Sequence, residues 1–240
     1  VSGQYLGSTA TLLCAPMVHA WWPSIFYLFG GLGIMWGVVW GLIGADSAAA
    51  HRYIGAAERE YVTASIPTLP RVEIVPWRQV ITEPCALAIY TAHFCDNYAN
   101  FFIISWLPKY LVDVVGLSLK ESGVVLLLPY IMPFFGVLSA GQVSDWLITT
   151  HSWEVVTVRK VMQATSDVVL SMCILYFVLV PAPTAQEFTV VMAIGGFFKS
   201  MHICGYWTNI VDIGPRYAGP LMGVSNTIAA LPGVIGNLVT

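Results

Sequence analysis

The stretch Ser122-Gly-Val-Val-Leu-Leu-Leu-Pro-Tyr-Ile-Met-Pro-Phe-Phe-Gly-Val-Leu-Ser-Ala-Gly-Gln-Val-Ser144 contains no charged side chain. At a rise of about 1.5 Å per residue, a helix of this length crosses the apolar core of a bilayer, which is roughly 30 Å thick. Similar charge-free runs cover residues 1–45, 168–186 and 217–240. Only 10% of the residues are charged and 57% are hydrophobic, too little charge to cover the surface of a soluble domain. The sequence therefore predicts an all-α membrane protein that crosses the bilayer several times.

Seven apolar segments and one long polar stretch organise the chain. The predicted segments cover residues 1–19, 22–45, 84–112, 119–147, 158–182, 187–213 and 218–240. The polar stretch covers 46–83, and a short surface helix is predicted within it at Ala56–Ala64. Seven Lys and Arg side chains fall on the same side of the membrane as this stretch and two on the other, so we expect the stretch to be cytoplasmic. Glycine and alanine at four-residue spacing, as at Gly136 and Ala140, predict close packing of helices.

Two pairs of ionisable side chains lie in the middle of apolar segments: His93 with Asp96, and Lys199 with His202. Each pair is spaced i, i+3, so its two side chains share one face of a helix. Asp96 and Lys199 both lie about 18 Å from the start of their segments at ~1.5 Å per residue, and the histidines lie one turn nearer the cytoplasm. If the two helices face one cavity, these groups form two layers, Asp96 with Lys199 and His93 with His202.

Two interpretations of these pairs stay open. In the first, Lys199 binds an anion while Asp96 and the two histidines bind a coupling proton, since histidine titrates near physiological pH and intramembrane charges typically line a cavity or ion path. In the second, the charges form a structural ion pair between two helices or face separate polar pockets. A further acid, Asp167, is predicted near the cytoplasmic start of its helix, in a packing or snorkelling role.

Charged residues at the predicted cytoplasmic helix ends form a second candidate site. Asp145 ends one helix and Arg159 with Lys160 begins the next, which predicts an ion pair that breaks and re-forms as the helices move. Asp212 and Arg216 flank a Gly-Pro turn between two helices, which places them at the cytoplasmic mouth. The alternative is that these loop charges only set the orientation of the chain.

The sequence predicts no cofactor, no metal site and no nucleic-acid partner. The five cysteines lie in or beside apolar runs without metal-ligand spacing, which favours small buried hydrophobes over disulfides or ligands. A membrane-embedded enzyme needs clustered metal ligands or paired acids on one helix, and the sequence contains no such set. We therefore expect a protein that is not an enzyme.

Short strings in order along almost the whole chain carry a family resemblance. They are Trp22-Pro-Ser-Ile-Phe-Tyr-Leu-Phe-Gly-Gly-Leu-Gly33, Glu58-Arg-Glu-Tyr61, His93-Phe-Cys-Asp-Asn97, Trp106-Leu-Pro-Lys-Tyr110, Leu128-Pro-Tyr130, Val158-Arg-Lys160 and Asp212-Ile-Gly-Pro-Arg-Tyr-Ala-Gly219. In these strings the chain resembles the anion:cation symporter branch of the major facilitator superfamily. That branch includes sialin, vesicular glutamate transporters, sodium–phosphate cotransporters and plant plastid phosphate carriers.

The resemblance implies a fragment of a twelve-helix fold, from about helix 5 to helix 11. Residues 1–45 would end the N-terminal six-helix half, 46–83 would be the cytoplasmic loop between the halves, and 84–240 would be the truncated C-terminal half. The segments that carry the two ionisable pairs become helices 7 and 10, which line the central cavity in this superfamily. The predicted cytoplasmic ion pair becomes the second-half copy of the motif between helices 8 and 9.

The chain departs from the family pattern at two candidate site residues. Asp96 stands where vesicular glutamate transporters carry a substrate-binding arginine, which argues against a glutamate-type anion site. Lys199 stands where many members have a small residue, so the basic group is expected to come from helix 10 instead.

The expected function is secondary active transport of a small anion, either inorganic phosphate or an organic carboxylate, coupled to H⁺ or Na⁺ by alternating access. Lys199 would attract the anion, Asp96 with the two histidines would bind the coupling ion, and Asn97 and Asn209 would supply neutral hydrogen bonds. The charged helix ends would work the cytoplasmic gate. A non-transporting sensor or scaffold of the same fold is the alternative. The sequence leaves the membrane open between a plasma membrane, a vesicle or lysosome membrane, and a plastid envelope.

Overall fold

A computed structural model describes residues 21–65, 74–180 and 182–238, together with Gly3, Gly7 and Ala10. Most of the predicted first segment, residues 1–19, therefore lies outside the described residues. The helices in the three ranges are α1 Pro23–Ile43, α2 Ala56–Ser65, α3 Trp77–Thr82, α4 Pro84–Asp113, α5 Leu119–Thr149, α6 Val155–Leu179, α7 Ala185–Lys199, α8 Tyr206–Ile213 and α9 Ala218–Leu238. Helices α1 and α2 belong to one compact unit, and the helices from α3 onward form another.

Five helical spans of the described residues are long and apolar enough to cross a membrane. They cover Pro23–Ile43, Val125–Thr149, Val155–Leu179, Ala185–Ile213 and Pro215–Gly236. Helix α4 is also long enough, at 30 residues, but His93, Asp96 and Asn97 lower the hydropathy of its first half. The protein is an all-α, multi-pass integral membrane protein, as predicted. Apart from the short helix α3, which was not predicted, and a break within the segment 187–213, the helix ends within the three ranges lie no more than three residues from the predicted ones.

The predicted segment 187–213 is broken in the structure. Helix α7 begins at a capping box, in which Thr184 Oγ1 accepts the Glu187 N–H and the Glu187 carboxylate accepts the Thr184 N–H. After α7 ends, a 3-10 turn covers Ser200–Ile203, and α8 starts three residues later. Gly205 lies between them, and a Cβ atom there would be 2.6 Å from Gln163 Oε1 of α6. A contact with another helix therefore accompanies the break, and sequence periodicity does not reveal such a contact.

Helices α5 and α7 approach each other closely at the predicted small residues. A Cβ atom on Gly136 would collide with the backbone carbonyl of Phe197 and the hydroxyl of Ser200. Ala140, one turn further along α5, is fully buried. Small side chains at these positions let the two helix backbones come together without a space-filling side chain between them.

Two apolar clusters lie at opposite ends of α4. One joins α4 to α3, α8 and α9, and its buried members are Val80, Ala86, Ile89, Tyr90, Tyr206, Ile210 and Leu221. The other joins α4 to α5 and α7, and its buried members are Leu107, Leu111, Leu126, Phe188 and Met192. The polar residues of α4 lie between these clusters, so apolar packing on both sides fixes the position of the helix around them.

Candidate functional site

A cavity of about 450 Å³ opens midway along α4, between that helix and α5, α7 and α8. Its polar and aromatic lining is shared among five helices and the 3-10 turn: His93, Asp96, Asn97, Asn100, Tyr130, Lys199, His202, Tyr206, Trp207 and Asn226. Both ionisable pairs singled out in the sequence therefore line one cavity. Among the described residues, no group of three or more His, Cys, Asp and Glu side chains could hold a metal ion.

Lys199 and Asp96 form a direct ion pair across the cavity. Lys199 Nζ donates to Asp96 Oδ1 at 2.8 Å, and the two side chains are only 16% and 7% exposed. The predicted facing of these two residues is therefore found as a contact. Each charge offsets the desolvation of the other, and removal of either one would leave an uncompensated charge inside the protein.

His202 links the backbone of this site to the second oxygen of Asp96. Its Nδ1 lies 2.6 Å from the Lys199 carbonyl oxygen, which can only accept, so Nδ1 carries a proton. Its Nε2 lies 3.9 Å from Asp96 Oδ2. Nε2 is therefore the ring atom of His202 that can gain or lose a proton beside the carboxylate.

Tyr206 lies between the two histidines and was missed by the sequence reasoning. Its ring centroid is 5.1 Å from that of His93 and 5.5 Å from that of His202, with interplanar angles of 30° and 19°. His93 and His202 both line the cavity, and the Tyr206 ring stacks on each of them. His93 also shares a hydrogen bond of 2.7 Å between its Nδ1 and Ser225 Oγ of α9. The available signal was the four-residue spacing from His202 to Tyr206, which places two side chains on one face of a helix.

The structure places the predicted asparagines differently. Asn97 lines the cavity, and its Nδ2 donates to the Ala229 carbonyl of α9 at 2.9 Å. Asn209 is not among the lining residues, because α8 restarts after the break with Tyr206 and Trp207 toward the cavity. Asn100 and Asn226 take its place in the lining. Asn100 could have been found from its spacing, since it follows Asp96 by four residues on the same helix face.

A second polar cluster surrounds Arg159 at the start of α6. Its Nε donates to Asp212 Oδ2 at 2.8 Å, and its Nη1 donates to the Cys204 carbonyl at 3.2 Å and to Ser144 Oγ at 3.4 Å. The guanidinium thus joins three parts of the chain: the end of α5, the helix break and α8. We call these four residues the Arg159 cluster.

The predicted ion pair of Asp145 with Arg159 and Lys160 is wrong, since Asp212 is the acid bound to Arg159. Ser144, not Asp145, faces the guanidinium, because neighbouring residues on a helix point about 100° apart. Asp145, Lys160 and Arg216 are exposed, and no ion pair within the described ranges involves them.

Comparison with known proteins agrees with this architecture. The model of the Major Facilitator Superfamily matches residues 1–237. The chain is 32% identical to "Probable anion transporter 1, chloroplastic" of Oryza sativa subsp. japonica, and the match covers 100% of this chain and 45% of that protein. It is 31% identical to "Sodium-dependent phosphate transport protein 1, chloroplastic" of Arabidopsis thaliana, over 100% of this chain and 46% of that protein. It is 29% identical to "Sialin" of Ovis aries, over 99% of this chain and 48% of that protein.

The chain thus spans slightly less than half the length of these relatives. Their names match the family inferred from the short strings, such as His93–Asn97 and Asp212–Gly219. The family model covers nearly all of the chain, and the chain therefore belongs to the Major Facilitator Superfamily, with relatives in its anion:cation symporter branch.

Proposed function

We propose that the protein is a secondary active transporter of small anions, either inorganic phosphate or an organic carboxylate, coupled to H⁺ or Na⁺ by alternating access. The Lys199–Asp96 ion pair in the cavity carries this proposal. A buried ammonium group attracts an anion, and a carboxylate beside it is a binding site for a proton or a cation. The names of the relatives, which include anion and phosphate transporters, also support transport of an anion.

Asp96 competes with the transported anion for Lys199. While Asp96 is ionised, its Oδ1 holds Lys199 Nζ at 2.8 Å, and an incoming anion has to displace it. A proton or Na⁺ at Asp96 neutralises the carboxylate and leaves the ammonium group available to the anion. Binding of the cation therefore favours binding of the anion, and the reverse holds by linkage. This reciprocal coupling is the property that symport requires.

His202 and His93 bring protonatable rings to the same carboxylate. His202 Nε2 is 3.9 Å from Asp96 Oδ2, and the Tyr206 ring connects His202 to His93 by stacking. We assign Asn100 and Asn226 as neutral hydrogen-bonding groups for the anion, because both line the cavity.

We propose the following domain organisation for the whole protein. Residues 1–45 end its N-terminal half, residues 46–83 form the cytoplasmic link, and residues 84–240 belong to its C-terminal half. Helices α4, α7 and α8 then face the central pathway, and the Arg159 cluster lies at the cytoplasmic gate. The position of Arg159 between α5, α8 and the helix break supports a gating role.

Uptake into proteoliposomes tests the proposed function. The intact protein is reconstituted, and radiolabelled phosphate, gluconate and succinate are offered under an imposed pH or Na⁺ gradient. Lys199→Gln is expected to lower uptake roughly 10- to 100-fold, since a hydrogen bond to a charged group contributes about 1.5–3 kcal/mol. Lys109→Gln is the matched control, because Lys109 forms an exposed ion pair with Asp113 within helix α4.

Two outcomes would contradict the proposal. If neither gradient drives accumulation of any of these anions, the protein is not the proposed transporter, and anion binding without uptake would favour a sensor of the same fold. If Lys199→Gln transports as well as Lys109→Gln, the buried ion pair is structural.

A further inference from the structure

The break between α7 and α8 exposes backbone groups at membrane depth, where lipid offers no hydrogen-bond partners. Helix α6 supplies partners from three side chains spaced i, i+4 and i+7, which lie on one helix face. The three contacts are Arg159 Nη1 to the Cys204 carbonyl at 3.2 Å, Gln163 Oε1 to the Tyr206 N–H at 3.2 Å, and Ser166 Oγ to the Lys199 carbonyl at 2.8 Å. One face of α6 therefore holds the break at its beginning, middle and end.

Gln163 is the central member of this face, and Asp167 fixes the orientation of its amide. Gln163 Nε2 donates to both carboxylate oxygens of Asp167 at 3.0 Å, while its Oε1 accepts the Tyr206 N–H. A carboxylate only accepts and a backbone N–H only donates, so this amide has one satisfactory orientation. Asp167 lies in the middle of α6, not near its start as the sequence predicted, and it interacts with Gln163 one turn earlier.

The backbone at Gly205 touches Gln163 directly. A Cβ atom at Gly205 would be 2.6 Å from Gln163 Oε1 and 3.0 Å from Gln163 Cβ. The start of α8 therefore lies against α6 with no side chain between them.

The residue held by the Gln163 hydrogen bond carries the ring that separates the two histidines of the cavity. The Tyr206 ring stacks against His93 at 5.1 Å and His202 at 5.5 Å. The backbone nitrogen of Tyr206 is the group that donates to Gln163 Oε1. Gln163 itself is not among the cavity-lining residues. It reaches the site through Tyr206, and also through Asp167, whose charge acts on His202.

We infer that Gln163 is a positioning residue of the transport site: by clamping the first residue of α8, it keeps the Tyr206 ring between His93 and His202. The consequence of this positioning for transport rests on the proposed function. The positioning itself rests only on the contacts between α6 and the helix break. In the transport cycle, Gln163 keeps His202 Nε2 facing Asp96 while the anion and the coupling ion bind.

The test uses Gln163→Leu in the intact protein, with Gln142→Leu as the matched control. Gln142 is exposed on α5 and makes no side-chain hydrogen bond among the described residues.

Cys204 lies inside the break and has a free, partly buried thiol, so its alkylation rate reports how well the break is held. Peptide mass spectrometry reads this rate for Cys204 alone, with the buried Cys173 as an internal reference. We expect Gln163→Leu to raise the rate roughly three- to tenfold, the factor for loss of one hydrogen bond, and Gln142→Leu to leave it unchanged.

A rescue variant separates positioning from general damage. The double variant Gln163→Glu, Asp167→Asn exchanges donor and acceptor between the two side chains and keeps an acceptor for the Tyr206 N–H. It is expected to restore the parent alkylation rate and the parent pH profile of uptake, which Gln163→Leu shifts. If Gln163→Leu does not fold, Gln163→Met gives the same comparison, because its thioether is only a weak acceptor for the Tyr206 N–H.

The outcomes distinguish this inference from the proposed function. An alkylation rate that Gln163→Leu or Gln163→Met leaves unchanged would overturn the positioning role, even if uptake is robust. Failure of uptake in every form of the protein would overturn the transport function, while the alkylation rates would still decide whether Gln163 holds the break.

Discussion

Asp96 is the residue on which the proposed coupling depends, because its two carboxylate oxygens face different partners. Oδ1 accepts from Lys199 at 2.8 Å, and Oδ2 faces His202 Nε2 at 3.9 Å. At 9% exposure the residue has little access to water. Its charge is therefore balanced by these neighbours, and a change of its protonation state alters both of them.

Asp96→Asn is expected to abolish gradient-driven uptake while anion exchange persists. Asparagine cannot take up a proton, and it leaves the Lys199 ammonium group permanently available to the anion. Gradient-driven uptake and counterflow are measured in the same proteoliposomes. Asp113→Asn serves as the control, since Asp113 is 52% exposed and pairs with Lys109 on the same helix. Parent-level accumulation in Asp96→Asn would exclude Asp96 as the coupling site.

Part of this site could be predicted from the sequence. Charged residues in apolar segments are rare, and a constant rise per residue gives their depth, so Asp96 and Lys199 could be matched from their positions along the chain alone. Tyr206 and Gln163 could not be found in that way. Their roles depend on where the helix breaks and on which face of α6 meets it, and neither follows from the spacing of residues within one segment.

At the scale of helices, the apolar length of each segment decides the structure, because a lipid bilayer admits only chains whose backbone hydrogen bonds are satisfied internally. This is why the ends of α4 and α5 lie within two residues of their predicted positions. The same rule does not reveal the break after α7. Its backbone groups are satisfied by side chains of α6, and such partners are distant in sequence.

The packing of α5 against α7 gives a prediction for glycine substitutions. Gly136→Ala is expected to destabilise the protein by roughly 1–3 kcal/mol, the usual cost of over-packing, because the new methyl group meets the Phe197 backbone carbonyl. Gly141→Ala on the same helix faces open space and is expected to be neutral or to stabilise by about 0.5–1 kcal/mol. Thermal unfolding in detergent measures both. Equal midpoints for the two variants would show that α5 and α7 are not in close contact at Gly136.

At the scale of the unit from α3 onward, the short helix α8 contributes to the cavity, to the first apolar cluster and to the Arg159 cluster. The first cluster includes Tyr206 and Ile210 of α8, the same short helix that carries Asp212. Helix α8 therefore connects the cavity to the Arg159 cluster over only eight residues. A displacement of α8 as a unit would move both Asp212 and the Tyr206 ring.

Because α8 carries Asp212, we expect Asp212, and not Asp145, to control how accessible Cys204 is from the predicted cytoplasmic end. Asp212→Asn removes the charge bound to Arg159 and is expected to raise the alkylation rate of Cys204 by an impermeant maleimide about two- to fivefold. That factor corresponds to at most ~1 kcal/mol for an ion pair that is partly exposed to solvent. Asp145→Asn should leave the rate unchanged, because Asp145 is exposed and Arg159 bonds to its neighbour Ser144. The sequence alone favoured Asp145, since it lies nearer to Arg159 along the chain. If Asp145→Asn raised the alkylation rate of Cys204 as much as Asp212→Asn, Asp145 would also be a partner of Arg159. Helix α8 would then not be the element that joins the gate to the site.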